Sequence, residues 1–350
     1  MEKKMFKKTM LAVLFTAIAT ASYADYTMIV PQKVGGGTSV WAEIVSKQLE
    51  KHLGEPVVIV HSPGARDIPA FNDFETTYQY DNKTIMVSHG GNGESFLAEE
   101  VLYNYANYRP IGMMNLDIIV AKLKDADMSN ITFGAGSGMT PEAMAIAMLQ
   151  CGPGGMEATL ECWKNTVSWV KGFNGGERRL AFKRGELNAT RESPAAYKKH
   201  VEPNEEAELW FTHGIAGPNG TRLDDPEYPG ARFEEVYNAK WGVAPSGPVY
   251  EAYQLVRAFR DGFQKALWVG KDNPNADTII AAMQAMVNDP ESVAAIEKNA
   301  GKYPWIIGED ATAHTANILS LVTEQPLRDL VTFSNSALGL ASVYKPELTQ

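Results

Sequence analysis

The sequence lacks most of the patterns by which an enzyme or a membrane protein announces itself. Of its 350 residues only two are cysteine, Cys151 and Cys162. Their spacing of 11, with no His between them, fits no metal site, and the absence of Cys-x-x-Cys sets aside a redox pair. No G-x-G-x-x-G and no Gly-Lys-Ser/Thr occurs, so the common dinucleotide and phosphate loops are missing. G-x-S-x-G and H-E-x-x-H are missing too, and the six His are scattered at 52, 61, 89, 200, 213 and 314. Nothing in these patterns requires a cofactor or a metal. Positive charge is scarce: 32 Lys and Arg against 42 Asp and Glu leave a net charge of −10, which argues against nucleic acid or an anionic membrane surface as partner.

What is present begins with a leader. Lys3, Lys4, Lys7 and Lys8 form a basic start, Met10 to Ala21 an apolar run, and Ser22-Tyr23-Ala24 a small-x-small site ahead of Asp25. This reads as a signal peptide over residues 1–24, cleaved after Ala24, and the apolar run is too short to span a bilayer comfortably. Taking the leader's net +3 from −10 leaves an exported chain near −13. In an oxidising compartment an even pair of cysteines around a Gly-Pro-Gly-Gly turn predicts one structural disulfide, Cys151 to Cys162.

The exported chain is longer than one hydrophobic core usually serves, so two lobes are expected. Short β-rich runs alternate with helical patterns, the signature of a mostly parallel sheet covered by helices. Strands are predicted over Tyr26 to Val30, Val57 to Val60, Thr84 to Ser88, Asp117 to Ala121, Ile131 to Gly134, Ser168 to Gly172 and Leu209 to His213. Val40, Ile44, Val45, Leu49 and Leu53 recur at helical spacing before Gly54. Further helices are predicted over Pro274 to Val287, Pro290 to Ala300 and Asp310 to Val322. The stretch from Pro203 to Pro248, rich in Pro, Gly, Asp and Glu, reads as long surface loops. One lobe is expected over 25–122 plus 266–350 and the other over 123–265, with strand-like runs near Asp117 and Leu267 as the crossings.

Three segments share one grammar: an apolar strand, then Gly with Ser, Thr or Asn, then a helix. They are Val34-Gly35-Gly36-Gly37-Thr38-Ser39, Ser88-His89-Gly90-Gly91-Asn92-Gly93, and Gly134 through Gly136-Ser137-Gly138-Met139-Thr140-Pro141-Glu142. Glycines admit close approach of backbone to a ligand, and the first N–H groups of a helix suit an anion. In open α/β sheets such loops, at the carboxyl ends of strands, are where ligands sit. In the third, Thr140 is placed as N-cap, Pro141 as N1 and Glu142 as a first-turn acid.

Taken together, Ile29-Val30-Pro31, the Gly35-Gly36-Gly37-Thr38 turn, Leu49 to Gly54-Glu55-Pro56-Val57-Val58-Ile59-Val60, Pro63-Gly64-Ala65, and Phe133-Gly134 through Thr140-Pro141 resemble the substrate-binding proteins of tripartite tricarboxylate transporters, the Bug family. Val170-Lys171-Gly172 and Gly185 to Ala189 resemble the interior of that family's second lobe. The likeness implies a periplasmic binding protein of the Venus-flytrap kind, two α/β lobes closing over a cleft. It also implies a small carboxylate ligand, di- or tricarboxylate or another organic acid, held mainly by backbone N–H groups and ordered water in the first and third loops, and a membrane transporter of one large and one small integral subunit as partner. The sequence departs from the family at Ser39, where Asp is common, at Glu43, where Arg is common, at Arg66-Asp67-Ile68, where Gly-Gly-Asn is usual, and at Arg191-Glu192, where Asp-Asn is frequent.

The resemblance places Arg191 on the inner wall of the second lobe, where a guanidinium would receive a ligand carboxylate through two hydrogen bonds. The plainer reading pairs it at the surface with Glu192 or Glu186. Trp41 and His89 are candidates to flank an aromatic or bulky acid. Two other functions compete with solute delivery: a hydrolytic site of His89, Glu94 and Ser137, and a ligand sensor docking on a receptor.

Overall fold

A computed structural model describes residues 25–349 except 91, 92, 94, 137 and 218–220. The leader expected over 1–24 lies outside them, as do Asn92, Glu94 and Ser137. The chain opens with β1 (Tyr26–Val30), α1 (Gly37–Leu53), β2 (Val57–His61), α2 (Ile68–Thr76), β3 (Thr84–His89) and β4 (Tyr108–Met114). There follow β5 (Ile119–Leu123), β6 (Ile131–Ala135), α3 (Pro141–Cys151), α4 (Met156–Thr166), β7 (Val167–Lys171), α5 (Gly175–Lys183), β8 (Ala189–Glu192), α6 (Pro194–His200) and β9 (Ala207–Thr212). A ribbon of β10 (Ile215–Ala216) and β11 (Arg222–Leu223) precedes α7 (Phe233–Trp241) and α8 (Pro248–Gly262). The chain ends with β12 (Gln264–Gly270), α9 (Ala276–Asn288), α10 (Pro290–Ala300), β13 (Trp305–Ile307), α11 (Glu309–Ser320) and α12 (Glu324–Leu338).

Two sheets organise these elements. The first has the order β13-β4-β12-β3-β1-β2 and the second β7-β6-β8-β5-β9. The chain leaves the first sheet after Met114, enters the second at Ile119, and returns through α8 into β12. Neither sheet is mostly parallel, contrary to the sequence expectation. β1 runs parallel to β2 and β3, but β12 is antiparallel to both β3 and β4, and β5 is antiparallel to β8 and β9. The reason lies in the crossings, which bring a strand into each sheet from the opposite end.

Strand alternation shows why the first sheet is covered on both faces. Met28 and Val30 of β1, Ile85 and Val87 of β3, and Leu267 and Val269 of β12 pack with α1 and α9, while Ile29, Met86 and Trp268 pack into the other cluster. That second cluster runs without a break through α8 into the core of the second sheet, where Phe133, Met144 and Ile146 lie. Each such side chain stabilises the fold by roughly 1.5–3 kcal/mol when fully buried. α1 buries Trp41, Ala42, Val45 and Leu49 along one stripe and stops at Gly54, whose φ of 72° is a left-handed geometry that a Cβ would strain.

The stretch from Pro203 to Pro248 is not all loop. It holds β9, the β10–β11 ribbon and α7, and α7 buries Phe233 and Tyr237 completely enough to count as core. Its acidic residues misled the pattern because they serve as partners: Glu234 binds Arg257 of α8 at 2.7 Å, and Asp225 accepts from Tyr303 at 2.8 Å. Cys151 and Cys162 are joined, with a Cα separation of 5.8 Å, tying the end of α3 to α4.

Candidate functional site

Between the two sheets lies a cleft of about 560 Å³. Gln32, Gly35, Gly37, Thr38, Val40, Trp41, His89, Gln264 and Lys265 line it from the first sheet's side. Arg178, Arg179, Arg191, Glu192, Ser193, Lys199 and His200 line it from the second, with Leu116, Ile118 and Arg260 between. Six of these residues are Lys or Arg and one is an acid, in a chain whose net charge is −10. The local field is therefore opposite in sign to the global one, and low-dielectric walls strengthen it.

The arginines are held in place by carboxylates, of which Glu142 and Asp261 are set behind the wall. Arg191 Nη1 lies 3.1 Å from Glu142 Oε1, Arg179 Nε is 3.0 Å from Glu192, and Arg260 Nη1 is 2.8 Å from Asp261. Arg178, which also stands 3.7 Å from Glu192, donates to the Arg191 carbonyl at 2.8 Å. Burial pushes the Glu142 carboxyl up, but Arg191 and Arg260 outweigh it and hold the group at about 2. Burial, with Arg191 adding to it, pushes Arg178 down to about 10. Lys265 is pushed down to about 7 by burial and by Arg260; its ammonium donates to Thr38 Oγ1 at 2.7 Å and lies 5.6 Å from the Trp41 ring centre. Trp41 stacks in turn on Trp305 at 5.9 Å.

The three glycine loops reach this cleft unequally. From the first, Gly35, Gly37 and Thr38 line it, while Val34 points to solvent and Gly36 does not border the space. Ser39 turns inward and donates to Glu43 at 3.0 Å, so the two positions that depart from the family pattern are partners within one helical turn. The Thr38 amide donates to the Gln32 side chain. From the second loop, among the described residues, only His89 lines the cleft, its Nε2 3.0 Å from Asp67 in the other divergent segment. Ser88 is fully buried, donating to the Phe263 carbonyl and accepting from Trp268 Nε1 at 2.9 Å. Gly90 has φ 89°, and a Cβ there would stand 2.7 Å from the Arg260 carbonyl, so this glycine serves packing against α8.

The third loop does not border the cleft among the described residues. Met139 and Thr140 are buried, and Gly136 and Gly138 are not among the lining residues. Thr140 is the N-cap of α3 and Pro141 its first residue, but the Thr140 hydroxyl makes no capping bond. Arg191 faces the cleft there instead, its guanidinium drawn to Glu142 in the first turn of α3. Its anticipated partners are engaged elsewhere, Glu192 with Arg179 and Glu186 with Arg184. The cations that sequence reasoning missed are spread over four elements, Arg178 and Arg179 on α5, Lys199 on α6, Arg260 on α8 and Lys265 on β12, and form no shared motif.

No family model and no curated protein matches the sequence. Solved structures do match. A TctC solute-binding protein from Polaromonas superposes with a TM-score of 0.55 at 15% identity, over 85% of this chain and 99% of its own. The periplasmic binding protein BugD gives 0.56 at 16% identity, over 89% and 97%. The chain has the fold of the TctC and Bug proteins. MatC from Rhodopseudomonas palustris, solved with bound malate, gives 0.51 at 14% identity, over 89% and 98%. The two-sheet layout with a cleft is thus the Bug-type architecture. Among the described residues no helix is long and apolar enough to cross a membrane, and no group of His, Cys, Asp and Glu is arranged to hold a metal ion.

Proposed function

We propose that this protein is an exported periplasmic solute-binding protein that captures a small organic acid and hands it to a membrane transporter of one large and one small integral subunit, without turning it over. The observation that carries the reading is the cleft itself: six Lys and Arg converge on it from both sheets of an otherwise acidic chain. A ligand there would be desolvated and paired with fixed cations, which favours an anion over a sugar or a cation. The lobes divide where the chain changes sheet, at residues 115–118 and near 263, and close over the ligand. The malate bound to MatC is the same chemical class. The site comprises Gly35, Gly37, Thr38, His89 and Arg191, joined by the missed cations. Ser39, Ser88, Met139 and Thr140, which are buried, support it from behind.

A thermal-shift screen over mono-, di- and tricarboxylates and aromatic acids tests this. Stabilisation should grow with ligand as RT ln(1 + [L]/Kd) and no product should form. If only neutral sugars or cations raised the melting temperature, the reading would fall. Uptake of the acid that binds should be lost when the gene is deleted, which separates delivery from sensing.

A further inference from the structure

Three non-glycine residues among those described have left-handed backbone: Arg66 at φ 56°, Asp67 at 61° and Lys265 at 54°. Such a geometry costs an L-residue free energy and persists where surrounding structure imposes it, often at functional positions. Two of them meet the same end of the cleft, Asp67 through His89 and Lys265 directly.

Lys265 owes its position to a bulge. Gln264 pairs with His89 and Ala266 with Ser88, so β12 takes two steps where β3 takes one, and Lys265 is the extra residue. The kink frees its side chain from the pleat and sends the ammonium to Thr38 at the start of α1, beside the face of Trp41. Arg191, Arg179 and Arg260 each have a carboxylate at 3.1 Å or less. Among the described residues Lys265 has none; its hydrogen-bond partner is a hydroxyl, and both burial and Arg260 disfavour its charge. A half-buried ammonium in a strained, bulged position, with no carboxylate beside it among the described residues, is costly to the empty protein.

We propose that Lys265 determines the charge of the ligand: its ammonium and the Thr38 hydroxyl receive one carboxylate of the bound acid against the face of Trp41. The inference rests on the solute-binding reading and assigns the counter-ion of one of the acid's carboxylates to a named side chain. Glycine would relieve the backbone at 265 at no steric cost, so a lysine there exchanges stability for binding.

The test is calorimetric titration of the full-length exported chain, wild type and variants, with malate, citrate, adipate and benzoate as probes. Lys265→Met and Lys265→Gly should bind the best probe at least about thirtyfold more weakly, and Lys265→Arg should stay within about tenfold of wild type. Lys265→Gly should also melt, without ligand, no lower than wild type, which a merely structural lysine would not allow. The Gly variant keeps the test open if Lys265→Met does not fold. A wild type that binds none of the probes overturns the solute-binding reading and this inference with it. A wild type that binds, with Lys265→Gly within threefold of it, overturns this inference alone.

Discussion

Arg191 and Glu142 form an ion pair at 3.1 Å in which the carboxylate is wholly buried while the guanidinium lines the cleft. One residue therefore serves both recognition and stability. Arg191→Ala should weaken binding by about 2–5 kcal/mol if the guanidinium meets a desolvated carboxylate. Sequence reasoning alone expects the unliganded melting temperature to stay nearly unchanged. The structure requires it to fall, because a buried carboxylate loses its partner, a loss of about 3–5 kcal/mol. Arg191→Lys should recover part of both losses. The double variant Arg191→Met with Glu142→Gln should recover stability but not affinity, as denaturant melts and titrations will show.

Ser88 lies in a glycine loop, yet its hydroxyl is buried between the Phe263 carbonyl and Trp268 Nε1. Ser88→Ala should cost about 1–3 kcal/mol by leaving the indole N–H and the carbonyl without their partner. Ligand affinity should not change. A loss of affinity with unchanged stability would return Ser88 to the binding site.

Burial holds the His213 imidazole at about 4, below its ordinary 6.5, and its Nδ1 stands 3.1 Å from the Tyr253 hydroxyl. The neutral ring is the folded form. Its contribution, on the order of 3 kcal/mol, is present above pH 6.5 and is lost as pH falls from 6.5 towards 4, where the unfolded chain takes up a proton that the native state refuses. The slope of stability against pH in that window should be shallower in His213→Gln, measured by urea melts. His314, also held at about 4 by burial, leaves a residual slope.

The Cys151 to Cys162 bond closes a short loop between α3 and α4. Thiol titration of the denatured, unreduced protein should find no free thiol, and two after reduction. Reduction should lower stability by roughly 2–3 kcal/mol in the chain-entropy description.

Much of this architecture is legible in the order of residues because it depends on near neighbours. β1, α1 and β2 follow from alternation, a stripe of Trp41, Val45 and Leu49, and Gly54 at the stop. The disulfide follows from two cysteines and a turn, and the Gly35 to Thr38 edge of the cleft from a strand ending in glycines. Helices such as α2, α4 and α12 are not legible in the order of residues, since their apolar positions are interrupted and their stability comes from the surfaces they cover.

The ligand-facing cations are a different matter. Arg178 and Arg191 lie far along the chain from Arg260 and Lys265, and the four belong to four elements. They meet because β12 returns antiparallel between β3 and β4, and because a single extra residue on that strand turns Lys265 towards Thr38. Glu142, readable in sequence only as a first-turn acid, becomes the anchor of Arg191 once β8 is laid beside β6. The sequence by itself determined the local elements, the covalent bond and one rim of the cleft, through contacts between residues close in the chain. The charge of the site was decided only by the tertiary structure, because it is a sum over side chains that nothing but the register of distant strands brings together.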